Sequence, residues 1–181
     1  MKVSLTALPE VLILEPRMFG DERGYFFESH NQREFEAATG ARAGFVQDNQ
    51  SRSKKNVLRG LHFQNPQSQG KLVRALAGEI FDVVVDIRRS SPNFGKWDSI
   101  RLSADNRMAL WVPPGFAHGF LVVSEHADIL YKTTDYYAPE HEHCIQWNDP
   151  RLAIPWPLAG PPDLSLKDQK GKPLEDAKVF A

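Results

Sequence analysis

The sequence predicts an all-β protein, folded as a sandwich or barrel of short strands; the jelly roll is one such arrangement. Apolar segments recur at short, regular spacing after residue 71, and Gly, Pro, Asn and Ser separate them. Only one segment of the chain has a convincing helical pattern. The strands that we expect in this region span residues 71–77, 79–87, 97–102, 107–112, 119–124 and 129–134.

The one helix is expected over residues 31–39. Asn31 can cap its first turn, and Glu34 stands three residues later, as in a capping box. Gly40 follows the last residue of the pattern and is typical of a helix end. The capping residues therefore predict a short helix of about two turns.

Further strands are expected at 11–15, 24–29 and 45–51, with a turn over 19–24. Apolar and polar residues alternate in the third of these strands, so Gln47 and Asn49 share the face of Phe45. If that face points inward, these uncharged polar groups must be hydrogen-bonded. They then belong either to a structural network or to a polar cavity.

The chain should form one domain, 1–181, with an extended carboxyl-terminal arm. A chain of 181 residues with 41% hydrophobic and 25% charged residues can bury a core without disulfides or a structural metal. The strand pattern gives way after residue 139 to a proline-rich sequence. We expect this part to wrap the surface as an arm.

Charge and cysteine content restrict the function classes. The net charge is −1 with both signs interspersed, which argues against binding to nucleic acid or to an anionic membrane. The single cysteine, Cys144, cannot form an internal disulfide, and no apolar signal segment begins the chain. We expect a cytoplasmic protein in which Cys144 is structural.

A polar cluster between residues 57 and 79 is the strongest functional signal. It contains Arg59, His62, Gln64, Lys71 and Arg74 on predicted β structure. A histidine beside cations can serve as a neutral general base, because positive neighbours disfavour its protonation. A lone histidine is more often structural, but Arg59 and Lys71 favour the catalytic interpretation of His62.

A proline- and glycine-rich turn places His118 at the start of another strand. His118 and His62 could meet across a barrel as metal ligands, so a metal site has to be considered. Gln64 occupies the second position after His62, and no acid follows at ligand spacing before Glu79. The spacing therefore argues against a metal.

Two further residues could complete a proton-transfer site. Tyr131 lies on a predicted strand and is either a packed aromatic or a general acid facing a base. Asp168 follows Ser165 by three residues and could be the acid of a helix start that Ser165 caps. Alternatively, Asp168 orients the His62 ring, as the acid does in a catalytic triad.

These motifs, in this order, resemble the dTDP-4-dehydrorhamnose 3,5-epimerases of the cupin superfamily, and the similarity covers nearly the whole chain. The motifs are FGDERG at 19–24, VQDN at 46–49, RGLH at 59–62, QGKLV at 69–73, PGFAHG at 114–119, LYKTT at 130–134, NDP at 148–150 and LSLKD at 164–168.

The resemblance implies a cupin jelly-roll homodimer that needs no metal or other cofactor and acts on a dTDP-sugar. It implies that His62 is the base, paired with Asp168, that Tyr131 is the acid, and that Lys71 lies near the keto oxygen. Tyr137 matches the aromatic residue that stacks on thymine. The remaining positions that match substrate contacts are Arg23, Glu28, Gln47, Asn49, Arg59, His118, Glu142 and Lys167.

The implied reaction inverts carbons 3 and 5 of dTDP-4-keto-6-deoxy-D-glucose and gives dTDP-4-keto-L-rhamnose. Both carbons are adjacent to one carbonyl, so removal of either proton places negative charge on the same oxygen. Lys71 can stabilise that charge in both steps, and Tyr131 can return the proton from the opposite face. Arg23 and Arg59 suit a diphosphate because a guanidinium is planar and permanently charged.

Two positions depart from the family pattern, and three other functions remain as alternatives. Phe63 stands where the family often has Tyr, and Leu166 where Glu is common. The alternatives are a single-site epimerase of a related pathway, a non-catalytic nucleotide-sugar-binding cupin, and a metal-dependent cupin, which the sparse histidines disfavour. The presence of both His62 and Tyr131 favours the enzyme, because binding alone needs neither a base nor a facing acid.

Overall fold

The computed structural model describes residues 1–181 and confirms the predicted all-β class. Its strands are β1 Lys2–Leu5, β2 Leu12–Glu15, β3 Phe19–Asp21, β4 Gly24–Phe26, β5 Gln47–Lys54, β6 Leu58–Gln64, β7 Lys71–Ala77, β8 Glu79–Asp86, β9 Trp97–Ser103, β10 Ala109–Val112, β11 Phe116–Val122, β12 His126–Thr133 and β13 Glu142–Cys144. One α-helix, α1 Gln32–Thr39, and two 3₁₀ helices, Pro139–His141 and Asp168–Lys170, complete the secondary structure.

Two antiparallel sheets form the body of the molecule. The larger has the strand order β1-β2-β10-β7-β12-β5, and the smaller has the order β13-β6-β11-β8-β9. Apolar side chains from both sheets form one buried cluster, to which β7 contributes Val73 and Ala75, β8 contributes Val84 and β12 contributes Ile129. These residues alternate along their strands with residues of the other face, as a half-buried strand requires.

Two glycines let the central strands of the smaller sheet approach closely. A Cβ atom on Gly60 would lie 2.6 Å from the Cα of Gly119, and one on Gly119 would lie 2.6 Å from the carbonyl oxygen of Arg59. The φ of Gly60 is 119°, which disfavours any other residue. The pairing of β11 with β6 shifts register at this point, between His118 and Phe120. This irregular segment carries both cavity histidines.

Helix α1 matches its predicted caps. The side chain of Asn31 accepts a hydrogen bond from the backbone N–H of Glu34, and Gly40 ends the helix in the left-handed conformation. Phe35 is the buried residue of the helix, and its ring packs edge-on against Trp111 with 5.1 Å between centroids. The helix therefore covers the outer face of the larger sheet at β10.

The amino-terminal segment differs from its prediction. Residues 19–24, expected as a turn, contribute β3 and pair with β4 in a two-stranded hairpin whose strands are exposed. β4 ends at Phe26, three residues earlier than expected. The period-2 pattern of so short a hairpin is too brief to distinguish from a loop.

The carboxyl-terminal arm is extended, as predicted, but it is more than a surface wrapping. Asp149 is buried and accepts hydrogen bonds from the backbone N–H groups of Arg151, Leu152 and Leu174, which fixes the path of the arm. The arm closes a second apolar cluster on the smaller sheet with Leu152, Ile154, Trp156, Leu174 and Ala177. None of the helices is both long and apolar enough to cross a lipid bilayer.

Candidate active site

A polar cavity of about 560 Å³ opens between the two sheets. The strands and the arm together bring ten of the predicted site residues to its wall. These residues are Gln47, Asn49, Arg59, His62, Lys71, His118, Tyr131, Tyr137, Glu142 and Lys167. Of the two interpretations of Gln47 and Asn49, the structure therefore selects the polar cavity, where the Gln47 amide donates to Asn49 Oδ1 at 2.8 Å.

His62 and Asp168 form a close pair, although 106 residues separate them (168 − 62). His62 Nε2 lies 2.7 Å from Asp168 Oδ1, and the Asp168 side chain is only 3% exposed. Nε2 is buried and the carboxylate lies off the direction of its N–H, so the two groups are in close contact without a well-aligned hydrogen bond. The other ring nitrogen, Nδ1, is therefore the one available to a ligand in the cavity.

Hydrogen bonds fix the Asp168 carboxylate of the arm in the position from which it contacts His62. The carboxylate accepts hydrogen bonds from the backbone N–H of Gly60 at 3.0 Å and from the Ser165 hydroxyl at 2.6 Å. Burial alone would raise the pKa of Asp168, but His62, Ser165 and Gly60 outweigh it and lower the pKa to about 2. Asp168 therefore contacts both predicted neighbours: it lies against His62, and it exchanges hydrogen bonds with Ser165 at the start of a 3₁₀ helix.

Cys144 lies behind this pair. It is paired with His62 across β13 and β6, and donor atoms of His62, Cys144 and Asp168 lie within 4.8 Å of one another. Burial raises the pKa of Cys144 to about 12, so its thiol is a poor source of the thiolate that a metal ion requires. The donor set suits a histidine–carboxylate pair better than a metal centre.

Lys71 enters the cavity from the opposite sheet, on β7. Its ammonium donates to the backbone carbonyl of His62 at 3.4 Å, which brings the predicted cation next to the predicted base. Burial lowers the pKa of Lys71 to about 8, and the negative charges of Glu142 and Asp82 limit the fall. A cation in this position can stabilise negative charge that develops on a bound substrate.

Tyr131 also reaches the cavity from the larger sheet, on β12 between Asn49 of β5 and Val73 of β7. His62 belongs to the smaller sheet, so the predicted base and acid approach from opposite walls. Burial raises the pKa of Tyr131, partly opposed by Arg59, and the phenol therefore holds its proton near neutral pH. This arrangement allows proton removal on one side and proton return on the other.

The cavity mouth is a network of polar and aromatic groups. Glu142 Oε2 accepts hydrogen bonds from the Tyr137 hydroxyl and from the Lys167 ammonium, each at 2.6 Å. The Tyr137 backbone N–H donates to Gln47 at 3.1 Å, and Arg59 is held by a hydrogen bond from its Nε to Ser53. The Lys167 ammonium also lies 5.8 Å from the centre of the half-exposed Tyr137 ring, and an aromatic ring beside a cation suits a nucleobase and a diphosphate.

The two departures from the family pattern leave this network in place. Leu166 is 75% exposed and does not interrupt the contact of Lys167 with Glu142. Phe63 is 4% exposed and packs in the apolar cluster under the arm, near His143 and Phe180.

His118 has a carboxylate partner that the sequence analysis missed. Its Nε2 lies 2.9 Å from both oxygens of Asp82, which is completely buried on β8. His118 is the cross-strand partner of His62, so two histidine–aspartate pairs lie side by side in the smaller sheet. Asp82 shares a face of β8 with the core residues Ile80 and Val84, and an acid at such an inward position could have been noticed in the sequence.

Arg23 and Glu28 are not part of this cavity. Arg23 lies on the exposed β3–β4 hairpin, where it pairs with Asp21, and its side chain is 90% exposed. Glu28 lines a separate cavity of about 310 Å³ beside α1. The prediction that these two residues contact the same ligand as the other ten is therefore not met within one chain.

Comparisons with known proteins assign the family. The family model described as dTDP-4-dehydrorhamnose 3,5-epimerase matches residues 5–176. The chain belongs to this family. It is 61% identical over 180 residues to the dTDP-4-dehydrorhamnose 3,5-epimerase of Pseudomonas aeruginosa, covering 99% of both chains.

Solved structures agree with this assignment and with the cupin jelly-roll fold. The chain is similar, with a TM-score of 0.96 and 52% identity, to the Legionella pneumophila dTDP-6-deoxy-D-glucose-3,5-epimerase in complex with dTDP-4-keto-L-rhamnose, covering 98% of this chain and 94% of that one. A more distant neighbour, at 31% identity and a TM-score of 0.89, is a 3′-monoepimerase from Streptomyces bikiniensis in complex with dTDP-quinovose, with 94% and 87% covered.

Proposed function

We propose that the chain is a double epimerase that inverts carbons 3 and 5 of dTDP-4-dehydro-6-deoxy-D-glucose and gives dTDP-4-dehydro-L-rhamnose for dTDP-rhamnose biosynthesis. Full-length identity of 61% to a relative with this activity supports the reaction. The observation that carries the mechanism is the placement of His62 and Tyr131 on opposite sheets, with Lys71 beside His62.

In this mechanism His62 removes the proton at each carbon. Asp168 holds the ring through Nε2, which leaves Nδ1 to accept the proton. Asp168 also stabilises the imidazolium that forms, because its low pKa keeps it ionised throughout the reaction. Positioned proton transfer of this kind contributes about 10²–10⁴-fold to the rate.

Lys71 stabilises the enolate in both steps. The two carbons flank the same carbonyl, so the negative charge returns each time to one oxygen and needs one cation. In a buried site such a charge interaction is stronger than in water, and it needs no reorganisation when the reaction occurs. Tyr131 then supplies a proton from the opposite wall, which inverts the configuration. Before the second inversion His62 releases its proton to solvent and the Tyr131 phenolate takes one up from solvent.

Deuterium exchange tests the double activity. We expect wild-type enzyme in heavy water to incorporate deuterium at both carbon 3 and carbon 5, as read by NMR of the product. Incorporation at carbon 3 alone would instead assign the chain to the monoepimerases, an alternative that its 31% identity to such an enzyme keeps open. Absence of exchange with tight substrate binding would indicate a non-catalytic binding protein.

We further propose that the enzyme is a homodimer and that Arg23 and Glu28 contact the substrate bound to the partner subunit. The resemblance assigns both residues to the substrate, yet one chain holds them outside the cavity. The hairpin that carries Arg23 also exposes Phe19, Tyr25 and Phe26, at 49%, 61% and 66%. A second copy packed on this hairpin would bury its aromatic rings and bring Arg23 to the diphosphate.

Subunit mixing tests the shared site. Arg23→Ala and His62→Ala should each form inactive or weakly active dimers, for different reasons. In a mixed dimer, one site combines His62 of the first variant with Arg23 of the second, so activity should recover on mixing after subunit exchange. A monomer in sedimentation, or a mixture no more active than its components, would contradict this arrangement.

We place the reaction in the cytoplasm, as the lone cysteine suggests. Fractionation of cells with an activity assay would test this location.

A further inference from the structure

Asp82 is the most deeply buried charged group of the active site. It lies on β8 with no exposed surface, and both of its oxygens lie 2.9 Å from His118 Nε2. The cost of burying a carboxylate is several kcal/mol unless charged or hydrogen-bonding partners offset it. Burial raises the pKa of Asp82, and the attraction of His118 and then of Lys71 opposes the rise.

The position of Asp82 links two groups of the proposed mechanism. With Nε2 held by Asp82, His118 keeps Nδ1 without a hydrogen bond inside the chain and accessible from the cavity. Lys71 lies in the same cavity, enters from the facing sheet and is attracted by the Asp82 charge. Asp82 itself does not line the cavity, so it can act on a substrate only through these neighbours.

Lys71 needs a negative neighbour in order to stay charged. Its burial disfavours the ammonium, and only Glu142 and Asp82 act against this effect. Glu142 is already shared between Tyr137 and Lys167, each at 2.6 Å. Asp82 has no arginine and no other lysine beside it. Glu142 exerts the larger attraction on Lys71, and Asp82 adds to it without a competing arginine or second lysine of its own.

We propose that Asp82 is a positioning residue of the epimerase: it holds the Lys71 ammonium charged beside the reacting carbonyl and fixes the His118 ring with Nδ1 toward the substrate. The inference rests on the proposed function, because it assigns to Lys71 the stabilisation of the enolate. The charged or titratable groups that share the cavity with Lys71 are Asp48, Arg59, His62, His118, Tyr131, Tyr137, Glu142 and Lys167.

The sign of the pH effect follows from Lys71. The enzyme needs Lys71 protonated, so activity falls as the pH rises through the pKa of Lys71, about 8 in the native protein. Removal of a nearby opposite charge lowers the pKa of a buried lysine by about one unit or more. The alkaline limb of the pH–kcat profile should therefore move to lower pH when Asp82 loses its charge.

The experiment measures pH–rate profiles of Asp82→Asn and of the wild type. We expect the alkaline limb to move about one pH unit toward acid, with kcat about fivefold lower at pH 8 and nearly restored at pH 6. KM should change by less than about twofold, because the contacts of the cavity mouth are retained. An equal loss at every pH would show a merely structural role and overturn the proposal.

Two further variants isolate the route through Lys71. Asp82→Ser removes the charge and leaves only a shorter hydroxyl in its place, so it should show the same acid-ward shift. In a Lys71→Met background, Asp82→Asn should cause no further change in the profile; an additional shift there would contradict the route. A further outcome is that the wild type exchanges deuterium at both carbons while the alkaline limb of the pH–kcat profile does not move in the Asp82 variants. That result would contradict this inference and leave the proposed function intact.

If both Asp82 variants fail to fold, the wild-type protein decides. The carboxyl ¹³C signal of Asp82, assigned in selectively labelled protein, should move with the same midpoint as the Lys71 side-chain signal. Independent titration of the two signals would contradict the coupling.

Discussion

The two histidine–aspartate pairs of the cavity are built in different ways. His62 receives its carboxylate from the arm, whose 3₁₀ helix brings Asp168 to 2.7 Å from Nε2. His118 receives its carboxylate from within the sheet, where Asp82 lies on the neighbouring strand β8. The first histidine is a quarter exposed, whereas the second is nearly buried, at 25% and 9% of the side chain.

This difference separates two tasks. Asp168 has three polar neighbours, His62, Ser165 and the backbone N–H of Gly60, that keep its pKa low, so the His62 pair has a carboxylate that stays ionised while the ring gains and loses a proton. Asp82 has a raised pKa and interacts with His118 and Lys71 only. We infer that the first pair transfers protons, whereas the second sets geometry and charge.

Replacement of the two histidines should separate the pairs most strongly. His62→Ala should lower kcat by about 10²–10⁴-fold and abolish deuterium exchange at both carbons, because the base is lost. His118→Asn keeps a donor for Asp82 and should cost at most about tenfold, the contribution of about one hydrogen bond. Steady-state kinetics and NMR exchange measure both; near-normal turnover of His62→Ala would refute the assignment of the base.

Replacement of the arm carboxylate should have the next largest effect. Asp168→Asn should lower kcat on the order of 10²-fold with KM little changed, because His62 keeps its place but loses the charge that stabilises the imidazolium. The alkaline limb of the pH–kcat profile should stay in place, in contrast to Asp82→Asn. Equal acid-ward shifts in both variants would mean that the two pairs are not functionally distinct.

The Asp168 carboxylate should also affect the free energy of unfolding at acid pH. The pKa of Asp168 is lowered from 3.8 to about 2, so its ionised form stabilises the native state by about 2 kcal/mol at pH 7. This contribution is complete above the unfolded pKa and is lost as the pH falls from about 4 to about 2. Urea titrations should show the stability gap between wild type and Asp168→Asn closing over this range; a constant gap would exclude the carboxylate as its source.

The smallest effect is expected at Cys144. Cys144→Ser should change kcat by less than about twofold, because a buried thiol whose pKa is raised to about 12 takes no part in proton transfer near neutral pH. Steady-state kinetics before and after treatment with a thiol reagent provide the check. A large loss of kcat in the serine variant would show that Cys144 takes part in proton transfer with His62 and Asp168.

The sequence predicted the β class and most strands because their signals are local. Residues 71–77 are bounded as predicted by Gly70 and Gly78, and α1 is fixed by Asn31 and Gly40, which act within one turn. β3 was predicted as a turn and β4 was predicted too long, because each of these strands has only three residues. β13 was missed because it is stabilised by pairing with β6, a contact between residues far apart in sequence.

By itself, the sequence determined the residue types of the chemistry: a base, a cation, a phenol and guanidinium groups, recognisable from motifs that each lie within a few residues. The tertiary structure alone decided how they meet. In the folded chain Asp168 contacts His62, and Tyr131 faces them from the other sheet. Asp82 contacts His118 from the neighbouring strand. Such placements depend on which strands pair and where the arm packs, and the energies that fix them come from burial over the whole core, which no local pattern records.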